Sequence, residues 1–249
     1  MKRPLFVVLL LVFLCFDAEA QKRSARAKPK PVANQKFQPN SAVVIDERLA
    51  VLRAAPSLFA KPIQRMRRGR AVMIAETRET QGVTFYRVLA VPGTQGWVQR
   101  EAVAAKFRRG EDERLARLVQ ASDGFDQIER AQIFLENFTD SPFRASILLL
   151  FGDLMEEVAV KMSTDAAKRL SRREMTASGA PLYSFYLNYA SLDRYQRLGI
   201  GFAFNPGTRL FHYDGASWRE IIKKSPRSNE AAEAQKRLDS LKGKMEMIK

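Results

Sequence analysis

Residues 85–98 read FYRVLAVPGTQGWV. Phe85-Tyr86-Arg87-Val88-Leu89 is a short run of aromatic and branched residues, Pro92-Gly93 marks a turn, and Gly96-Trp97-Val98 is a second short run. That is a strand, a turn and a strand. Working outward, Ala42-Val43-Val44-Ile45, Leu49-Ala50-Val51-Leu52 and Ala71-Val72-Met73-Ile74 are further apolar runs, and Gly69 and Gly82 punctuate them. Five or so short strands between Ser41 and Ala105 predict a small all-β barrel or sandwich. About 60 residues suffice for such a domain, with a modest core.

Four signals in this segment carry a resemblance. An Arg and a Pro sit close together in Leu52-Arg53-Ala54-Ala55-Pro56-Ser57, and a basic-Gly turn opens Arg68-Gly69-Arg70-Ala71-Val72. Phe85-Tyr86-Arg87-Val88 and the closing Gly96-Trp97-Val98 follow in order. Residues 41–105 thus resemble a bacterial SH3-like domain. Two features depart from the family pattern: Ala50-Val51-Leu52-Arg53 replaces Asn-Val-Arg, and Phe85-Tyr86 stands where a Trp is usual. The resemblance implies an SH3-like β-barrel whose ligand-binding candidates are Tyr86, Trp97, Phe85 and Arg53. One reading of the aromatics is core and rim packing. The other is a shallow groove for a peptide or glycan, lined by Tyr86 and a neighbouring aromatic. Trp97 needs a partner for its indole N–H if it is buried.

The chain begins with a basic pair, Lys2-Arg3, an uncharged apolar stretch from Pro4 to Phe16, and small residues in Asp17-Ala18-Glu19-Ala20. This is the pattern of a secretory signal peptide, 1–20, cleaved after Ala20. Retention as a short anchor is the second reading, because a spanning helix wants about 20 apolar residues. Cys15 follows bulky Phe13-Leu14, not a small residue, so it is read as part of the signal's apolar core, not as a lipidation site. The mature chain then holds no thiol for a disulfide, a metal site or a nucleophile. The expected location is the periplasm, the cell envelope or the exterior.

Residues 21–40 carry six Lys/Arg, no acid and three prolines, which reads as a basic disordered linker. Residues 41–105 carry ten basic and five acidic side chains, and residues 106–249 carry 24 and 20. The formal charge of +15 therefore sits mostly in the first part of the chain. In an exported protein this charge points away from nucleic acid and toward anionic envelope polymers or lipid head groups, or toward solubility alone.

From Glu111 the period changes to that of helices. Leu115, Leu118 and Val119 follow an acidic first turn. Ile128, Ala131, Leu135 and Phe138 form one face of a second helix, and Ile147 to Phe151 lies in a third, buried helix. Ser171 to Pro181 reads as a loop, Leu182 to Leu198 as an aromatic helix, and Gly199 to Tyr213 as a hairpin or ordered loop. Phe134-x-x-x-Phe138-x-x-Ser141-Pro142 is echoed 84 residues later by Trp218-x-x-x-Ile222-x-x-Ser225-Pro226. A proline there ends one helix and is tolerated at the start of the next. The unit resembles tetratricopeptide-like repeats, which implies an α-helical domain of helical hairpins over 111–249 that holds a protein partner. With two copies and no regular array, an ordinary helical bundle is the other reading.

Little in the sequence points to catalysis. His212 is the one histidine. No Gly-x-Ser-x-Gly elbow, phosphate loop or dinucleotide fingerprint occurs. No catalytic residue, metal or cofactor is expected. Glu156-Glu157 reads as a solvated helix face and Glu111-Asp112-Glu113 as a complement to the helix dipole. The tyrosines from Tyr183 to Tyr195 suit a partner surface or core packing. The leading expectation is a non-catalytic exported binding or scaffold protein that contacts peptidoglycan or a protein. The alternative is a wall-modifying hydrolase using carboxylates such as Glu156 or Asp193.

Overall fold

The β-rich part is built from seven short strands. They are β1 Ser41–Val44, β2 Val51–Arg53, β3 Pro62–Arg65, β4 Ala71–Thr80, β5 Val83–Ala90, β6 Thr94–Gln99 and β7 Val103–Ala105. These come from a computed structural model that describes residues 40–90, 92–189 and 192–246. Residues 1–20, read as a signal peptide and containing Cys15, and all of the expected linker but Asn40 lie outside the described residues.

All seven strands pair antiparallel in one sheet, in the order β3-β2-β6-β5-β4-β1-β7. The sheet is open, not the closed barrel expected, and among the described residues β3 and β7 are its edges. Each edge has a local reason. β3 begins at Pro62, which has no N–H to give a neighbour, and presents charged Arg65 outward. Beside β7 stands α1 (Glu111–Gln120), whose Arg114 donates to the Val103 carbonyl at 2.5 Å. β4 runs on to Thr80, well beyond the Ile74 at which its apolar run stops, because Gln81-Gly82, both at positive φ, turn it directly into β5. A bulge between Ile74 and Glu76 bends it, so that its first residues pair with β1 while its full length pairs with β5.

Eight helices and a two-stranded ribbon follow among the described residues. After α1 come α2 (Gly124–Asn137) and α3 (Arg144–Arg169). The 26-residue α3 continues well past the apolar run Ile147 to Phe151, as far as Arg169. The stretch read as a loop contains α4 (Arg172–Ser178). Its start is capped by the Ser171 hydroxyl, which accepts from the Glu174 N–H, and Gly179 ends it at φ 69°. Then come α5 (Leu182–Tyr189), α6 (Asp193–Gln196), the hairpin β8 (Phe202–Asn205) and β9 (Leu210–Tyr213), α7 (Ala216–Lys224) and α8 (Asn229–Glu246). α2 packs on α3, and α7 packs on both α8 and α3. β9 also lies on α3, held by the Phe211 N–H to the Ser163 hydroxyl and the Tyr213 N–H to the Glu156 carboxylate, both 2.9 Å.

The chain is therefore mixed α and β, and the described residues form one compact unit. It has two apolar cores that meet at β1 and β7. Ala42, Val44, Val103 and Ala105 face the sheet's own core, with Leu52, Val72, Tyr86 and Val98. Val43, Ile45 and Ala104, at the alternate positions, join the helical core with Phe134, Ile147 and Trp218. A strand with both faces covered loses the polar alternation of a surface strand. Among the described residues no helix is long and apolar enough to cross a membrane.

Two arginines tie the sheet to α2. Arg68 bonds Asp126 at 2.9 Å and Glu129 at 2.6 Å. Buried Arg130 donates to the Ile45 carbonyl at 3.3 Å, reaches Asp46 at 3.4 Å and bonds the Ser122 hydroxyl. Arg130→Met would keep the packing and leave these buried acceptors short of a donor. We expect a loss of about 2 kcal/mol in a denaturant titration. An unchanged midpoint would show that the contacts contribute nothing net.

Candidate functional site

Strand pairing brings three of the four expected site residues to one face of the sheet. Residues directly opposite on neighbouring strands share a face, and alternate residues along a strand do too. Arg53 on β2 stands opposite Trp97 on β6, and Trp97 stands opposite Arg87 on β5. Arg87 in turn stands opposite Glu76 on β4, at 3.8 Å. Phe85, two residues before Arg87, is on the same face and opposite Arg78. The Arg78 guanidinium covers the Trp97 ring at 5.2 Å from its centroid and bonds Glu76 at 2.9 Å. Trp97 is thus framed by Arg53, Arg78 and Arg87.

Tyr86 does not belong to this group. It points through the sheet into the core and is 2% exposed. Its hydroxyl accepts from Arg108, whose guanidinium also lies over the ring. Burial raises its pKa above the ordinary tyrosine value. Phe85 is buried too, although it lies outside both apolar clusters. The packing reading therefore accounts for Tyr86 and Phe85, and what remains exposed on this face is the arginines. Arg78 and Arg87 have side chains 55% and 50% open to solvent. Arg53 is partly buried and donates to the Ala60 carbonyl at 2.9 Å.

Beside Arg87 the bulge at Ala75 opens a concavity of about 400 Å³, lined by Met73, Ala75, Arg87, Leu89 and Gln95. A planar guanidinium offers several donors in a fixed plane, and a stacked one keeps its edge free for a carboxylate or phosphate. The face thus combines exposed cationic donors, a Trp97 ring that lies beneath them and is only 8% exposed, and a shallow depression. Glu76, a carboxylate on the same face, is paired with Arg78 at 2.9 Å and with Arg87 at 3.8 Å. Arg78 was not visible as a participant in the sequence, because it lies four residues past Ile74, where the apolar run of β4 stops.

A second constellation lies on α3. Glu156, read from sequence as part of a solvated face, is largely buried. One carboxylate oxygen accepts from His212 Nδ1 at 2.8 Å and from Lys244 Nζ at 2.7 Å, and the other from the Tyr213 N–H at 2.9 Å. Burial works against ionisation here. The His212, Lys244 and Tyr213 hydrogen bonds outweigh it and hold the pKa at about 2. With Glu156 ionised, His212 presents Nδ1–H to it. One turn earlier, Gly152 leaves room for Ser217 and Trp218 of α7 to press on the helix.

Asp193, the other carboxylate considered, is exposed on α6 and pairs with Arg197 at 2.9 Å. Of the aromatic cluster, Tyr186 and Tyr195 are core residues, Tyr183 is exposed, and the Tyr189 side chain lies outside the described residues. Among the described residues no group of three or more His, Cys, Asp or Glu is placed to hold a metal ion. No protein-family model, curated protein or solved structure matches the chain.

Proposed function

We propose that this chain is a non-catalytic, exported binding protein of the bacterial cell envelope. Its SH3-like sheet domain contacts an anionic partner, a wall peptide or glycan or the acidic face of a protein. Its helical-hairpin domain holds a second, protein partner. The observation that carries the reading is Trp97 framed by Arg53, Arg78 and Arg87 on the outer face of the sheet. The signal sequence, the basic linker and the charge of residues 41–105 support it. The resemblance to SH3-like domains supplies the fold expectation, and the open seven-stranded sheet is the coarser architecture on which it rests.

Hydrolysis by carboxylates has less support. Glu156 is held ionised near pKa 2, which suits neither a general acid nor a base poised near neutral pH. Its oxygens are occupied by three donors. Asp193 sits on the surface beside a cation.

The test is retention of the purified protein on isolated wall sacculi. We expect retention without release of soluble fragments. Trp97→Ala with Arg78→Ala and Arg87→Ala should weaken it by on the order of a hundredfold, because a desolvated aromatic and its arginines dominate such contacts. Retention unaffected by the triple substitution would overturn the assignment of this face. Soluble fragments abolished by Glu156→Gln would overturn the binding reading itself.

A further inference from the structure

We propose that the β2–β3 loop, residues 54–61, is a docking element for an anionic lipid surface. It would place Phe59 and Leu58 among the lipid head groups while the surrounding cations meet the phosphates. Phe59 is 88% exposed, Leu58 38%, and Ile63 on the following edge strand 47%. Single exposed apolar residues are ordinary, but a neighbouring pair at a loop tip with a third on the adjoining strand is not.

The exposure is imposed by a built loop. The Ala54 N–H bonds the Lys61 carbonyl at 3.0 Å, and the Ala60 N–H bonds the Ser57 carbonyl at 3.2 Å. The Phe59 N–H bonds the Ser57 hydroxyl at 3.2 Å, and Arg53 reaches the Ala60 carbonyl. Arg53 thereby acts as a positioning residue that fastens the loop to the sheet.

Charge selects the occupant. Around the loop stand Arg53, Lys61, Arg65 and Arg67, with no acid between Arg48 and Ala75; Arg48 and Arg68 in the same stretch are already paired, with Asp46 and with Asp126 and Glu129. A second copy would bring like charges together. Three apolar side chains fall short of the roughly 800 Å² per partner that a stable protein interface needs. A bilayer needs only a shallow apolar insertion together with cations over anionic lipid.

The test uses the full chain carrying Phe59→Trp, with vesicles of phosphatidylglycerol and phosphatidylethanolamine, and phosphatidylcholine vesicles as the comparison. Trp97 and Trp218 are nearly buried, so the unsubstituted chain gives the background. We expect the added indole to shift to shorter wavelength and to be quenched by brominated lipid tails in the anionic vesicles. Half-molar salt should weaken both signals. Leu58→Ser with Phe59→Ser should lower partitioning by on the order of tenfold or more, with an unchanged melting temperature because both side chains are exposed. An equal response to phosphatidylcholine overturns the proposal, as does an absence of quenching. So does a dimer of the unsubstituted chain that the double serine variant dissociates. Arg78→Ala with Arg87→Ala changes exposed side chains away from the loop, so loss of sacculus retention in that variant and loss of lipid docking in the double serine variant are separate results.

Discussion

Gly152→Ala is expected to destabilise the protein by about 3 kcal/mol, although alanine is the better helix former by about 1 kcal/mol. Gly152 lies within α3, on the side where α7 packs. A methyl group there would stand 2.3 Å from Trp218 Nε1, 2.7 Å from Trp218 Cε2 and 2.6 Å from the Ser217 hydroxyl. Trp218 is among the most buried large side chains of the helical core, so it has little room to withdraw. Strain should therefore outweigh the propensity gain. Denaturant midpoints of the single variants and of Gly152→Ala with Trp218→Phe check this. The double variant should lose less than the two single losses added together, because the smaller ring relieves the clash. Simple additivity would show that the close approach is not the cause.

Glu156→Ala should cost about 3–5 kcal/mol, the range for removing one partner of a buried ionic group. The substitution leaves the Tyr213 N–H, His212 and Lys244 without their shared acceptor. The same carboxylate should also leave a mark on acid stability. Its pKa is lowered from 4.5 to about 2, so the folded state favours the ionised form. Its contribution is fully present above pH 4.5 and is lost as the pH falls from there toward 2. With allowance for the carboxyl's remaining contact with water, that contribution is about 2 kcal/mol. In Glu156→Gln the stability should fall less steeply over this window. Parallel curves for the two proteins would count against the assignment.

Five of the seven strands were legible because turn residues separate short apolar runs; β3, with Pro62, Gln64 and Arg65, and the three-residue β7 gave no such run. The order of those strands was not, since pairing depends on contacts distant in sequence, such as Arg53 with Trp97. Periodicity located α1, α2 and α3, where one face is apolar over several turns. It passed over α4, whose seven residues bury little beyond Met175 and which owes its ends to Ser171 and Gly179. At the candidate site the sequence pointed to Trp97 and Arg53. It left Tyr86 between core packing and a groove, because Phe85 and Tyr86 look alike in composition and differ only in which way the pleat turns them. Glu156 looked solvated because its donors come from β9 and α8, 56 and more residues away. Residues 1–39 lie outside the described residues, so their reading as signal and linker rests on composition alone.

The double-sided burial of β1 bears on how this architecture is inherited. Ala42 and Val44 serve one core while Val43 and Ile45 serve the other, and β7 divides its three residues in the same way. A recombination event that cut the gene near Ala105 would separate each half from part of its own interior. The N-terminal half would carry away Val43, Ile45 and Ala104 with nothing to cover them. The helical half would be left with an apolar gap where those residues had been. Sheet and helices are therefore expected to travel, duplicate and be lost together, as one unit of descent.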